Sequence, residues 1–98
     1  MAERRRSIHT GHRQRVKDEF SARRLAGWPD HRVLELLLYY AIPQGDVNGL
    51  AHELVERFGS LAGVLDAAEE ELCRVPGVGQ HTAVLLKLIP AAGARYLQ

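Results

Sequence analysis

Val75-Pro76-Gly77-Val78-Gly79-Gln80-His81-Thr82-Ala83-Val84-Leu85-Leu86 decides how this chain folds. It is a short turn, Pro76 to Gly79, between two segments of helical apolar spacing. Upstream, Leu72 and Val75 lie three apart. Downstream, Val78, Thr82, Leu85, Leu86 and Ile89 recur at intervals of three and four, the spacing of one helix face. Glycine at positions 77 and 79 admits backbone angles closed to other residues and keeps no side chain in a ligand's way. Val78 is placed to drop between the two helices and fix the turn. The amides of Gly77, Gly79 and the first helical turn after them then lack intrahelical partners, and the helix dipole adds partial positive charge. Such a helix start suits a phosphate oxygen. The alternative is a hairpin turn that needs glycine and binds nothing.

Working back from the hairpin, Glu69 to Arg74 reads as its first helix. Ala68 stands at the N-cap, where serine or threonine would stabilise by about 1 kcal/mol more. Glu69, Glu70 and Glu71 offset part of that at the positive helix end. Ser60 is a good N-cap for a short helix carrying Leu61, Val64 and Leu65. Gly59 follows a helix over roughly 47–58 in the position that favours a left-handed residue. That helix faces inward with Leu50, Leu54 and Phe58, and Asp46 is its expected cap. Val33 to Ile42 is apolar on nearly all sides, which marks a central helix ended by Pro43-Gln44-Gly45. Asp30 is its expected N-cap, with Trp28 packed on the helix start as a staple. A first helix, roughly 11–24, has Val16 and Phe20 on its inner face, and residues 1–10 read as a basic, mobile tail. After the hairpin a last helix begins at Gln80, with a kink or break expected at Pro90. Nothing reads as a strand, because Leu34 to Ile42 lacks the β-branched residues a buried strand prefers. The expected fold is all-α, a compact bundle of about five to six helices over residues 11–98, with no sheet.

Ninety-eight residues at 46% hydrophobic make one domain with a small core. The single cysteine, Cys73, rules out an internal disulfide and suits a reducing cytoplasm. The chain has no apolar run long enough to span a bilayer. Arg4-Arg5-Arg6 has no apolar segment after it, unlike a secretory signal. The expected location is the cytoplasm, away from membranes. The formal charge of +1 conceals an asymmetry: residues 1–24 carry +5 and residues 25–98 carry −4. A basic arm on an acidic body fits attraction to nucleic acid, or else a solvated tail that aids solubility.

Val75-Pro76-Gly77-Val78-Gly79 followed by Thr82-Ala83 resembles the hairpin of the helix-hairpin-helix (HhH) family, which binds DNA backbone without reading sequence. The segments before and after the hairpin narrow the resemblance. Gly11-His12-Arg13-Gln14-Arg15, Asp30-His31, Leu34-Glu35-Leu36-Leu37-Leu38-Tyr39-Tyr40-Ala41-Ile42-Pro43 and Asp46-x-Asn48 are distinctive. So are Arg57-Phe58-Gly59-Ser60-Leu61-Ala62-Gly63-Val64-Leu65 and Lys87-Leu88-Ile89-Pro90. Together, over about residues 11–98, they are similar to the N-terminal domain of RadC-like bacterial proteins, which are named for DNA repair. That resemblance implies a tandem (HhH)2 arrangement, with units at 30–58 and 69–95 joined by a short connector helix. It also implies a longer protein with a C-terminal JAB/MPN-type metal domain. In the first unit Asp46 would cap the helix amides and repel a phosphate, so the second hairpin is the expected contact.

Three functions follow from these readings. In the first, the chain is a weak, salt-sensitive DNA-backbone binder. Gly77, Val78, Gly79, His81, Thr82 and Lys87 form its phosphate site, with Arg13 and Arg15 as auxiliary basic residues. Base readout is not expected, since no helix presents the Arg/Asn/Gln face that the major groove requires. In the second, the chain is a protein-docking domain that positions the JAB/MPN-type domain and has no DNA binding of its own. The third, catalysis, is not expected: no paired carboxylates, nucleophile triad or nucleotide loop is present. The five histidines form no ligand set with the three or four donors a metal requires, and no cofactor is expected.

Overall fold

Helix α2 (Asp30–Ala41) is the element on which the others are packed. In the computed structural model, which describes residues 2–98 and their side chains from Gly11 onward, the order is α1 (Ala2–Arg23), α2, α3 (Asn48–Phe58), α4 (Leu61–Asp66), α5 (Glu69–Cys73) and α6 (Gln80–Tyr96). No strand occurs among these residues, so the all-helical expectation holds. The expected tail over residues 1–10 lies outside the described side chains.

Why α2 is central follows from its sequence. Leu34 and Leu38, one turn apart, are fully buried, and Leu36, Tyr39 and Ala41 are buried on adjoining sides. One helix can therefore take α1, α3, α4 and α6 against different faces. One continuous core joins α2 to Val16 of α1, Ala51 and Leu54 of α3, Val64 of α4, Ala83 and Leu86 of α6, and Leu72 and Val75 around the end of α5, which packs on α6. Leu54 is buried on α3 as the spacing indicates. Ala51 is the deeper surprise: it is fully buried where Leu50 and Phe58 are half-buried, because a small residue lets α3 close on α2.

Several local expectations are met. Ser60 Oγ accepts from the amide of Gly63 at 3.0 Å and caps α4. Gly59 has φ 91° after α3. Asp46 differs from its expected role: Val47 holds the N-cap position of α3 with no side-chain cap, and Asp46, one residue earlier, accepts through Oδ1 from the amide of Asn48 at 2.8 Å. Asp30 is a correction. It is the first residue of α2 rather than its cap, and Oδ2 accepts instead from the amide of Leu61 at 2.9 Å, at the head of α4. Trp28 is half-buried at the α1–α2 junction, its Nε1 donating to Glu19 at 3.1 Å while Arg32 lies over its ring and bonds the same carboxylate at 2.8 Å. Pro90 does not end α6, which runs on to Tyr96. Proline there lacks the amide that would close the bond to Leu86, and the helix passes through with one bond fewer.

Candidate nucleic-acid interface

The hairpin at 76–79 is built as its sequence suggests, with different jobs for its two glycines. Gly77 has φ 96°, in the left-handed region, so glycine is required there for backbone reasons. A Cβ on Gly77 would come to 3.6 Å from the methyls of Leu50, an ordinary contact. Gly79 has an ordinary φ of −94° and nothing within 4 Å of its Cβ position. Its use is therefore open space rather than unusual angles, which corrects the expectation that both glycines serve the turn alike. Val78 is buried, and its amide donates to the carbonyl of Val75 at 3.0 Å, so the residue anchors the turn as expected.

The amides at the head of α6 are left open. The first hydrogen bond of that helix runs from Ala83 to the carbonyl of Gly79 at 3.0 Å. The amides of Gly77, Gly79, Gln80, His81 and Thr82 donate to no acceptor among the described residues, and no side chain caps Gly79. Gly77, Gly79, Gln80 and His81 are exposed. Thr82 differs: it is buried, so its side chain does not face this surface as the expected contact would require.

Other members of the expected basic set are engaged elsewhere. Lys87 Nζ donates to the carbonyl of Leu65 at 2.7 Å, at the C-terminal end of α4. That carbonyl, not a phosphate, is the partner its position supplies. Arg13 Nη1 and Nη2 donate to the carbonyls of Tyr39 (3.2 Å) and Gly45 (2.7 Å), with the guanidinium 4.5 Å from the Tyr39 ring centroid. Arg15 remains exposed.

Arg13 forms one wall of a second feature, a cleft of about 430 Å³ between α1, α2 and the 43–47 turn. His12, Arg15, Glu35, Tyr39, Gly45, Asp46 and Asn48 complete it. The Glu35 side chain is only 5% exposed, and His12 Nε2 lies 3.7 Å from its carboxylate. The Tyr39 hydroxyl is buried without a hydrogen-bond partner among the described residues. Burial first, and then the negative charge of Glu35, push the Tyr39 phenol from 10.0 up to about 12. Reading the sequence missed this cleft. Its signals were present, since His12 to Arg15, Glu35 and Asp46-x-Asn48 all lie in distinctive segments. Only the packing of α1 on α2 brings them together.

Among the described residues no three His, Cys, Asp or Glu side chains converge as metal ligands would, and no helix is long and apolar enough to cross a membrane.

The fold and the open helix start define a small all-helical module with an anion-compatible hairpin. In sequence the chain is 37% identical over 79 residues to the UPF0758 protein FN0909 of Fusobacterium nucleatum, covering 81% of this chain and 34% of that protein. It is 39% identical over 84 residues to the UPF0758 protein SPO0054 of Ruegeria pomeroyi, covering 86% of this chain and 38% of that protein. These relatives are of the RadC family, in agreement with the sequence resemblance, and the chain spans little more than a third of their length. No family model matches the chain, and no solved structure matches it.

Proposed function

We propose that this chain is a non-sequence-specific DNA-backbone-binding module of a RadC-like protein, arranged as two HhH units. The observation that carries the reading is the set of unpaired amides of the exposed residues Gly77, Gly79, Gln80 and His81 at the start of the 17-residue α6. Backbone donors at a helix N-terminus favour an oxyanion through both hydrogen bonding and the dipole. The two-unit reading is supported by the turns themselves. Gly45 and Gly77 both have positive φ, and each stands three residues before the first residue of the next helix, Asn48 and Gln80. In the first turn Asp46 already accepts from Asn48, so a phosphate would meet a carboxylate there. The second turn is the contact.

With few phosphates engaged, binding is weak, with a log–log salt slope of about −1 to −3. The test is titration of the chain with duplex DNA at ~50 mM and ~200 mM salt, with Gly79→Glu as the variant. Ordinary φ and open space at residue 79 let the side chain be added without unfolding. Its carboxylate would occupy and repel the phosphate position. Binding that is absent at low salt, or unchanged by Gly79→Glu, rejects the reading.

A second reading, a docking module for a JAB/MPN-type domain, draws on α6. Val84 and Leu88, one turn apart, and Tyr96 and Leu97 at its end are exposed apolar side chains. The relatives are also more than twice as long as this chain. Absence of DNA binding leaves that reading standing.

A further inference from the structure

We propose that the cleft between α1 and α2 binds one unpaired nucleotide whose base carries an amino group. The most buried carboxylate there is that of Glu35, whose side chain is 5% exposed. Among the described residues it accepts no hydrogen bond within 3.5 Å, with the half-exposed His12 imidazole 3.7 Å away. A carboxylate is an acceptor only, so its complement is a donor such as the exocyclic amine of guanine, adenine or cytosine. Thymine presents two carbonyls around a single N–H and is repelled by the same group. Beside Glu35 the Tyr39 hydroxyl is buried with no partner within 3.5 Å, and it interacts with the Glu35 carboxylate, so a ligand or a bridging water would meet the two groups together.

The exposed rim is mixed: it carries the Asp46 carboxylate, whose Oδ1 already accepts from the amide of Asn48, and the positive charge of Arg15. Arg15 is exposed and makes no hydrogen bond or ion pair among the described residues, and it lines the same cleft. A ligand with a donor at one end and an anion at the other is matched by Glu35 and by Arg15, with Asp46 excluding the anion from the side of the 43–47 turn. A volume of about 430 Å³ is within the range that takes a ligand of nucleotide size. Arg13 makes the wall rigid, because its guanidinium is fixed to two carbonyls and laid over Tyr39. The choice of a nucleotide over another bipolar ligand rests on the nucleic-acid reading above. The site itself shares no residue with the α6 amides, so each fails or stands separately.

The experiment is NMR titration of the chain with dGMP, dIMP, dAMP, dCMP and dTMP, and with DNA hairpins carrying one unpaired G or T. Amino-bearing nucleotides are expected to perturb His12, Glu35 and Asn48 and to bind roughly tenfold or more tightly than dTMP. Loss of one amino group, from dGMP to dIMP, is expected to weaken binding without any change to the protein. Glu35→Gln, which offers donor and acceptor alike, is expected to abolish the preference, and Arg15→Ala to weaken all nucleotides equally. Response to the hairpins alone assigns the source as an extrahelical base; response to the monophosphates assigns a free nucleotide. Either supports the site. Equal binding of all five, a preference that survives Glu35→Gln, equal competition by a free amino acid, or no perturbation at millimolar ligand overturns it. Should Glu35→Gln unfold the chain, the dGMP–dIMP comparison still decides. Gly79→Glu, measured in parallel with duplex DNA, reports on the α6 site alone.

Discussion

Gly63 shows what one hydrogen can decide. A Cβ there would lie inside the contact distance of the Phe58 carbonyl oxygen, a backbone atom that cannot swing away. Gly63→Ala is expected to destabilise by about 2–3 kcal/mol in urea unfolding, the cost of forcing atoms into a packed site. Gly79→Ala should change stability by less than about 0.5 kcal/mol, since nothing lies near. In the sequence both are glycines near the start of a helix, Gly63 inside α4 and Gly79 just before α6, and only the path of the neighbouring backbone separates them. Tyr39 offers a second test. Its phenol is raised from 10.0 to about 12 in the folded chain, so between those values the unfolded chain loses the proton first. The stabilisation is complete below pH 10 and falls as pH rises through 12, by up to about 2–3 kcal/mol at 1.36 kcal/mol per unit. Urea midpoints at neutral and strongly alkaline pH should show this excess loss in the native chain relative to Tyr39→Phe. Equal losses in both chains would mean that the phenol is not held neutral by its surroundings.

Helix α4 makes the same point for an element. Six residues cannot hold a helix by themselves, and both ends are fixed by side chains from other helices. At the head, Asp30 of α2 accepts from Leu61 beside the local cap of Ser60. At the tail, Lys87 of α6 donates to Leu65. Ser60 was legible because cap and amide lie three residues apart. The other two bonds span 31 and 22 residues and have no local signature. The sequence accordingly suggested Asp30 for α2 and Lys87 for phosphate. The structure gives each a more immediate partner. Lys87→Met, which keeps the stem and removes the charge, is therefore expected to lower stability by about 1 kcal/mol. Its DNA affinity should match that of the unsubstituted chain in the same salt titration. A loss of affinity without loss of stability would return Lys87 to the phosphate site.

At the scale of the whole molecule, charge is separated along the sequence, +5 in residues 1–24 against −4 in the remainder. How that charge acts depends on which basic groups the fold has already used. The helical periods made the number and order of helices legible, and α2 readable as the centre, because an all-round apolar helix has no other stable place. What they left hidden was α1 lying against the 43–47 turn, where Arg13 bonds Tyr39 and Gly45 across 26 and 32 residues. Two arginines that look alike in Arg13-Gln14-Arg15 are thereby divided. Arg13→Ala should destabilise the chain by about 1–2 kcal/mol, since it leaves two carbonyls and the face of Tyr39 without a donor. Its DNA salt slope should stay unchanged. Arg15→Ala should leave the unfolding midpoint in place, because the side chain is exposed and unbonded among the described residues. If duplex DNA lies along this face, the same change should reduce the salt slope by about one phosphate's worth. The opposite pattern, slope lost at Arg13 and stability lost at Arg15, would mean that the orientation of α1 on α2 is wrong, and with it the cleft that the two helices enclose.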